Sequence, residues 1–182
     1  MRKRLTIVAG VVAVLSLIGA MAFVQFAKAD DLLRTDVGRR DVPVYKNGSS
    51  SAGAMTVRAY ASQFDADGDG DTIVDSQRAV GRVYKHNGVR RIQINTVRLQ
   101  RYTSTGWETL RSSGTVNTGT AQSAVAYTAP PTPFKCNGST IYRVQVIGLV
   151  RWNDNSLNSF NVESGHWVNV PLSSGACEPV NV

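Results

Sequence analysis

From Met55 onward the apolar residues recur at every second position. Met55, Val57, Ala59 and Ala61 alternate with Thr56, Arg58, Tyr60 and Ser62, which is the period of a strand with one face in a core. Ala79–His86 continues this pattern, and Asn87-Gly88 after it is the favoured two-residue turn of a β-hairpin. The partner strand is expected over Val89–Tyr102. There Ile92 and Ile94 share one face, while Val97 and Leu99 have the opposite parity. A bulge near Asn95-Thr96, or a strand that changes sheets, would bring all four to the same core.

Further on, Thr103–Gly106 forms a turn into Trp107–Leu110, and Ser123–Tyr127 is a short strand that ends before Pro130, Pro131 and Pro133. Ile141–Trp152 is the longest apolar run. Tyr142, Val144, Val146, Val150 and Trp152 take one parity, and Ile147 and Leu149 the other, so both faces are expected to be covered. Asn153–Asn155 turns the chain, Ser159–Val162 returns, and Trp167–Val170 closes the set. No helical period of any length appears after residue 54. Seven to nine short strands separated by turns predict an all-β antiparallel sandwich over 55–182.

The hairpin Val97-Arg98-Leu99-Gln100-Arg101-Tyr102, followed by Gly106-Trp107-Glu108-Thr109-Leu110, resembles one common in bacterial immunoglobulin-like domains. Tyr142-Arg143-Val144-Gln145-Val146 is similar to a later core strand of those domains. The chain as a whole resembles small secreted actinobacterial proteins, most of them without an assigned activity. The resemblance spans about residues 79–170 and implies an immunoglobulin-like fold and an extracellular location, but no catalytic set. The cysteines do not bracket a tryptophan at the antibody spacing, so the antibody inter-sheet disulfide is not transferred.

The ends of the chain differ from its centre. Residues 1–29 have the order of a signal peptide: Arg2-Lys3-Arg4, an uncharged run from Leu5 to Phe26, then Ala27-Lys28-Ala29. Retained, that run is long enough to act as a membrane anchor. Cleaved, it leaves no spanning segment. Residues 30–54, with Pro43 and the run Asn47–Gly53, read as a flexible N-terminal arm in which Val42, Val44 and Tyr45 could form a stray edge strand.

Cleavage removes Arg2, Lys3, Arg4 and Lys28, leaving 16 Lys and Arg against 13 Asp and Glu. The whole-chain charge of +7 therefore owes much to targeting. The two cysteines, Cys136 and Cys177, lie in the exported part, where an oxidising environment predicts one disulfide. Closing a loop of about 40 residues restricts the unfolded chain and stabilises the fold by about 3–4 kcal/mol.

The strongest local chemical signal is Asp65, Asp67, Asp69, Asp71 and Asp75, five carboxylates within eleven residues interspersed with glycine. Oxygen ligands at alternate positions suit Ca²⁺, and the run resembles the calcium loops of dockerins and thrombospondin type 3 repeats. Neither register supplies the bidentate acid at position 12, which predicts a weak extracellular site, on the order of 0.1–1 mM. The alternative is an acidic surface loop.

Between Ser76 and Trp152 eleven basic residues face one acid, Glu108. Arg82, Arg90 and Arg98 could form a basic face for an anionic wall polymer; otherwise they lie on a solvated surface. No nucleic-acid-binding motif accompanies them. Trp107, Trp152 and Trp167 sit in apolar strand contexts and are expected in the core, with sugar stacking as the alternative.

His86 adjoins a turn, His166 lies between Gly165 and Trp167, and no nucleophile elbow is present. Glu108 and Glu163 have no sequence reason to meet as a glycosidase pair. The expectation is a secreted, non-catalytic binding protein of the cell exterior or envelope. A carbohydrate-binding module is the first alternative and a secreted hydrolase the second.

Overall fold

A computed structural model describes residues 31–65 and 75–182. The signal-peptide expectation at 1–29 and the carboxylates Asp67, Asp69 and Asp71 lie outside the described residues. Twelve strands and no helix occur among the described residues, so none of them forms a helix able to cross a membrane.

Sheet I contains β1 (Asp31–Lys46), β2 (Ser49–Asp65), β3 (Ser76–Lys85) and β7 (Ser123–Tyr127) in that order, with β8 (Thr132–Pro133) also on β3. In sheet II the order is β12 (Cys177–Asn181), β11 (Trp167–Pro171), β9 (Ile141–Trp152), β4 (Val89–Thr103) and β5 (Gly106–Ser112). There β10 (Leu157–Glu163) pairs with β9 and β6 (Val116–Asn117) with β4. The two antiparallel sheets pack face to face as a β-sandwich.

The core follows from strand parity. Met55, Val57, Ala59 and Ala61 of β2 and Ala79 and Val83 of β3 face Ile92, Ile94, Val97 and Leu99 of β4 and the even-numbered positions of β9, all essentially inaccessible. Each large aliphatic side chain buried this way contributes about 1.5–3 kcal/mol. The β4 ladder with β9 shifts register between Ile94 and Thr96. That bulge turns Val97 and Leu99 to the side already occupied by Ile92 and Ile94, resolving their parity conflict.

Trp152 and Trp167 are fully buried. The Trp152 indole N–H donates to Asn158 Oδ1 at 2.6 Å, and that of Trp167 to Gln77 Oε1 at 3.3 Å, as buried indoles require. Cys136 and Cys177 are bonded, tying the segment before β9 to the start of β12.

Two expectations are corrected. Residues 31–46 are a paired strand and not a flexible arm, and β2 begins before residue 55. Val37 is buried in the core, and Val42 and Val44 pack against it. The β1–β2 ladder shifts register between Leu32 and Arg34, Arg34 and Val37, and Val37 and Arg40, and these irregularities erase the two-residue period from the sequence. At Gly38 the backbone has φ +62, and its carbonyl accepts from the Gly165 N–H at 2.7 Å. A Cβ there would lie 2.7 Å from both Gly165 O and the Trp167 ring, so only glycine permits this contact between the sheets.

Asn87-Gly88 does not close a hairpin either. β3 is already paired with β2 on one edge and with β7 and β8 on the other, so it has no edge left for β4. The dipeptide instead carries the chain from sheet I to sheet II. Asn87 O accepts from the Ala54 N–H and Gly88 O from the Asn153 N–H, both at 2.9 Å. The acidic loop is what joins the true hairpin, β2–β3, which closes at the Phe64–Ser76 pair.

Candidate binding surface on the outer face of sheet II

Residues directly opposite each other in an antiparallel ladder project to the same face. In sheet II, Tyr102 faces Trp107, Gln100 faces both Thr109 and Arg143, and Arg98 and Glu163 each face Gln145. This parity is opposite to the core parity of β4 and β9, so the set forms the sheet's outer surface.

The set is organised around Trp107 and Arg143. The Arg143 guanidinium lies 4.1 Å from the centroid of the Trp107 ring, a cation–π contact worth about 0.5–2 kcal/mol. Its Nη1 is 2.6 Å from Glu163 Oε2, and its Nε donates to Gln100 Oε1 at 2.9 Å. Gln100 Nε2 in turn donates to Thr109 Oγ1 at 3.1 Å. Arg143 is only 9% exposed. Burial lowers its pKa and Glu163 opposes that shift, but an arginine stays charged throughout.

With Arg143 over its ring, the Trp107 indole is half-buried. Tyr102 packs edge-on to Trp107 with centroids 5.3 Å apart, and His166 lies 5.0 Å away on a tilted plane. Tyr102 is 53% exposed. On the opposite parity of the same strands, Arg101 Nε donates to Glu108 Oε2 at 2.7 Å. On this face Arg143 has a carboxylate and Arg98 has the Gln145 amide, and the surface presents rings fixed by their neighbours. Such exposed, pre-positioned rings can stack on the apolar face of a sugar ring. Trp107 thus departs from the expected core role that Trp152 and Trp167 fill. The signal for it is the aromatic pair Tyr102 and Trp107 flanking one turn, which places both rings on the same face.

Of the two readings for Arg82, Arg90 and Arg98, the single basic face does not form. Arg82 is on the outer side of sheet I, directly opposite Arg58, and Arg98 is on the outer side of sheet II. Arg90 is at the end of the sandwich where the chain crosses between sheets. Three arginines of sheet I lie over rings. Arg58 and Arg82 each lie 5.4 Å from the Tyr84 centroid, and Arg78 lies 4.8 Å from both Phe64 and Tyr127. Asp41 accepts from Arg39 and Arg58, and those bonds hold its carboxyl well below the usual carboxylate range.

Of the acidic run, Asp65 is buried and Asp75 half-buried at the base of the loop, where the Asp75 N–H donates to Phe64 O at 3.2 Å. Among the described residues no group of three or more His, Cys, Asp or Glu could hold a metal. His86 Nε2 is 2.8 Å from Thr56 Oγ1, and His166 lies against Trp107. Glu108 and Glu163 are each engaged by an arginine. No protein family, curated protein or solved structure matches the chain.

Proposed function

We propose that this is a secreted, non-catalytic binding protein of the cell exterior, an immunoglobulin-like sandwich that recognises carbohydrate, such as that of a cell-wall polymer, through Tyr102, Trp107 and His166. The observation that carries the proposal is the Trp107 indole, held at the surface by a nearly buried, ion-paired guanidinium. A ring fixed in advance loses little freedom when a ligand stacks on it. The Cys136–Cys177 bridge supports an oxidising location outside the cytoplasm. Export through residues 1–29 belongs to the same proposal.

The test is titration of the protein with a panel of neutral oligosaccharides, followed by tryptophan fluorescence and calorimetry. Trp107→Ala is expected to weaken the best ligand at least about tenfold, the size of one stacking interaction, with the cooperative melt retained. Binding that survives Trp107→Ala, or no saccharide binding at all, would overturn the proposal.

A weak calcium site at Asp65, Asp67, Asp69, Asp71 and Asp75 is proposed alongside it. Asp65 and Asp75 sit at the two sides of the closed β2–β3 base, so a bound ion would act on the loop that joins these strands. Raising Ca²⁺ to between one and ten times its dissociation constant is expected to stabilise the fold by about 0.4–1.4 kcal/mol relative to EDTA. An unchanged melt at 10 mM Ca²⁺ would discard the ion.

A further inference from the structure

The end of sheet II remote from Trp107 has the opposite electrostatic character. A hollow of about 710 Å³ is lined there by Lys85, His86, Arg90 and Arg91, with Gly119, Gln122 and Asn153 among its other walls and, among the described residues, no carboxylate. Arg91 also borders a smaller adjoining hollow of about 110 Å³ that contains Arg151.

These cations are held in place. Lys85 Nζ donates to Arg90 O at 3.0 Å and to Gly119 O at 2.9 Å, leaving one of its three N–H groups for a ligand. Arg90 Nη1 donates to Asn155 Oδ1. Asp154, the nearest acid in sequence, is taken by Lys46 from the β1–β2 turn. Among the described residues no ion pair joins Lys85, Arg90, Arg91 or Arg151 to a carboxylate.

An independent observation points the same way. Arg91 and Arg151 are directly opposite in the β4–β9 ladder, and both are exposed. Like charges at that position destabilise a sheet, and an anion bridging the two guanidinium forks would convert the repulsion into attraction.

We propose that Lys85, Arg90, Arg91 and Arg151 form a binding site for the phosphodiester groups of a polyol or sugar phosphate chain. Arginine forks match phosphate oxygens in pairs, and a hollow of about 710 Å³ has room for a polymer segment as well as a lone ion. Nucleic acid fits less well: neither hollow is lined by Phe, Tyr or Trp on which a base could stack. The site uses none of the residues of the Trp107 platform, so it stands or falls separately from the carbohydrate proposal.

The test is calorimetric titration of the purified protein with a synthetic poly(glycerol phosphate) oligomer, at several salt concentrations. Saturable binding is expected, and Arg91→Gln with Arg151→Gln should weaken it at least about tenfold. The double variant should also flatten the dependence of log K on log salt by roughly 0.7–0.9 for each phosphate it no longer neutralises. Trp107→Ala, which alters only the other end, should bind the oligomer as the wild type does. Four results would overturn the proposal: no binding; equal loss from Arg58→Gln on sheet I; equally tight binding of a single-stranded oligonucleotide or polygalacturonate; or full competition by inorganic phosphate at the same phosphate concentration. The last three would indicate, respectively, a diffuse charge effect, a different polyanion and a free-phosphate site.

Discussion

The two ends of the outer face of sheet II share strands β4 and β9 and carry opposite arrangements of charge. Around Trp107, Arg143 is paired with Glu163. Around Arg91, cations face cations with no acid between them. Arg91 and Tyr102, which mark the two ends on β4, are eleven residues apart; at the rise of a strand this is on the order of 30 Å. Interactions between exposed charges are largely screened beyond about 8–10 Å at ordinary salt, so each end behaves independently. Net charge describes neither of them. What matters is whether each cation has its partner inside the fold or must find one outside it.

Removing a partner at the balanced end should have the larger effect. Glu163→Gln leaves the nearly buried Arg143 with Gln100 and the indole but no carboxylate. A loss of about 1–2 kcal/mol is expected, read as a lower urea midpoint with an unchanged slope. A midpoint within error of the wild type would mean that solvent already compensates Arg143. At the other end the sign reverses. Arg151→Glu replaces a like pair with an opposite pair across the ladder and should raise stability by about 0.2–1 kcal/mol. In 1 M salt this gain should shrink toward zero. A gain that persists there would locate its origin in packing instead of charge. The same variant should also abolish oligomer binding, so stability and binding would move in opposite directions.

Much of the fold is legible in the sequence because it depends on parity. The long run Ile141–Trp152 coincides with β9, and the conflict between Ile92/Ile94 and Val97/Leu99 marks the bulge between Ile94 and Thr96. The disulfide follows from counting two cysteines in a chain expected to be exported. What is not legible depends on which strand neighbours which. Asn87-Gly88 has the same local chemistry whether it closes a hairpin or crosses between sheets, and only the occupied edges of β3 decide between them. β1 is hidden because its register irregularities, with Asp36 at φ 62 beside Gly38, destroy the alternation that reveals a strand. β12 escapes for a simpler reason: Cys177-Glu178-Pro179-Val180-Asn181 is short, polar and interrupted by proline, and it is held by β11 and the disulfide.

The surface sites are less legible still. Trp107, Trp152 and Trp167 all fall in predicted strands, and only the finished sheets place one outside and two inside. Arg143 and Glu163 are 20 residues apart and meet because β10 folds back on β9. Arg91 and Arg151 are 60 apart and meet because β4 and β9 are adjacent. Such pairs cannot be read from one strand at a time.

β1 forms one margin of sheet I, a position whose unpaired backbone groups can recruit a foreign chain in cross-β fashion. Its staggered ladder and the detour at Gly38 toward Gly165 deny an incoming strand the long straight template that fibril growth needs. The irregularities that conceal this strand in the sequence thus also serve as a guard against aggregation, of most value at the exported location proposed above, where no cytosolic chaperone reaches.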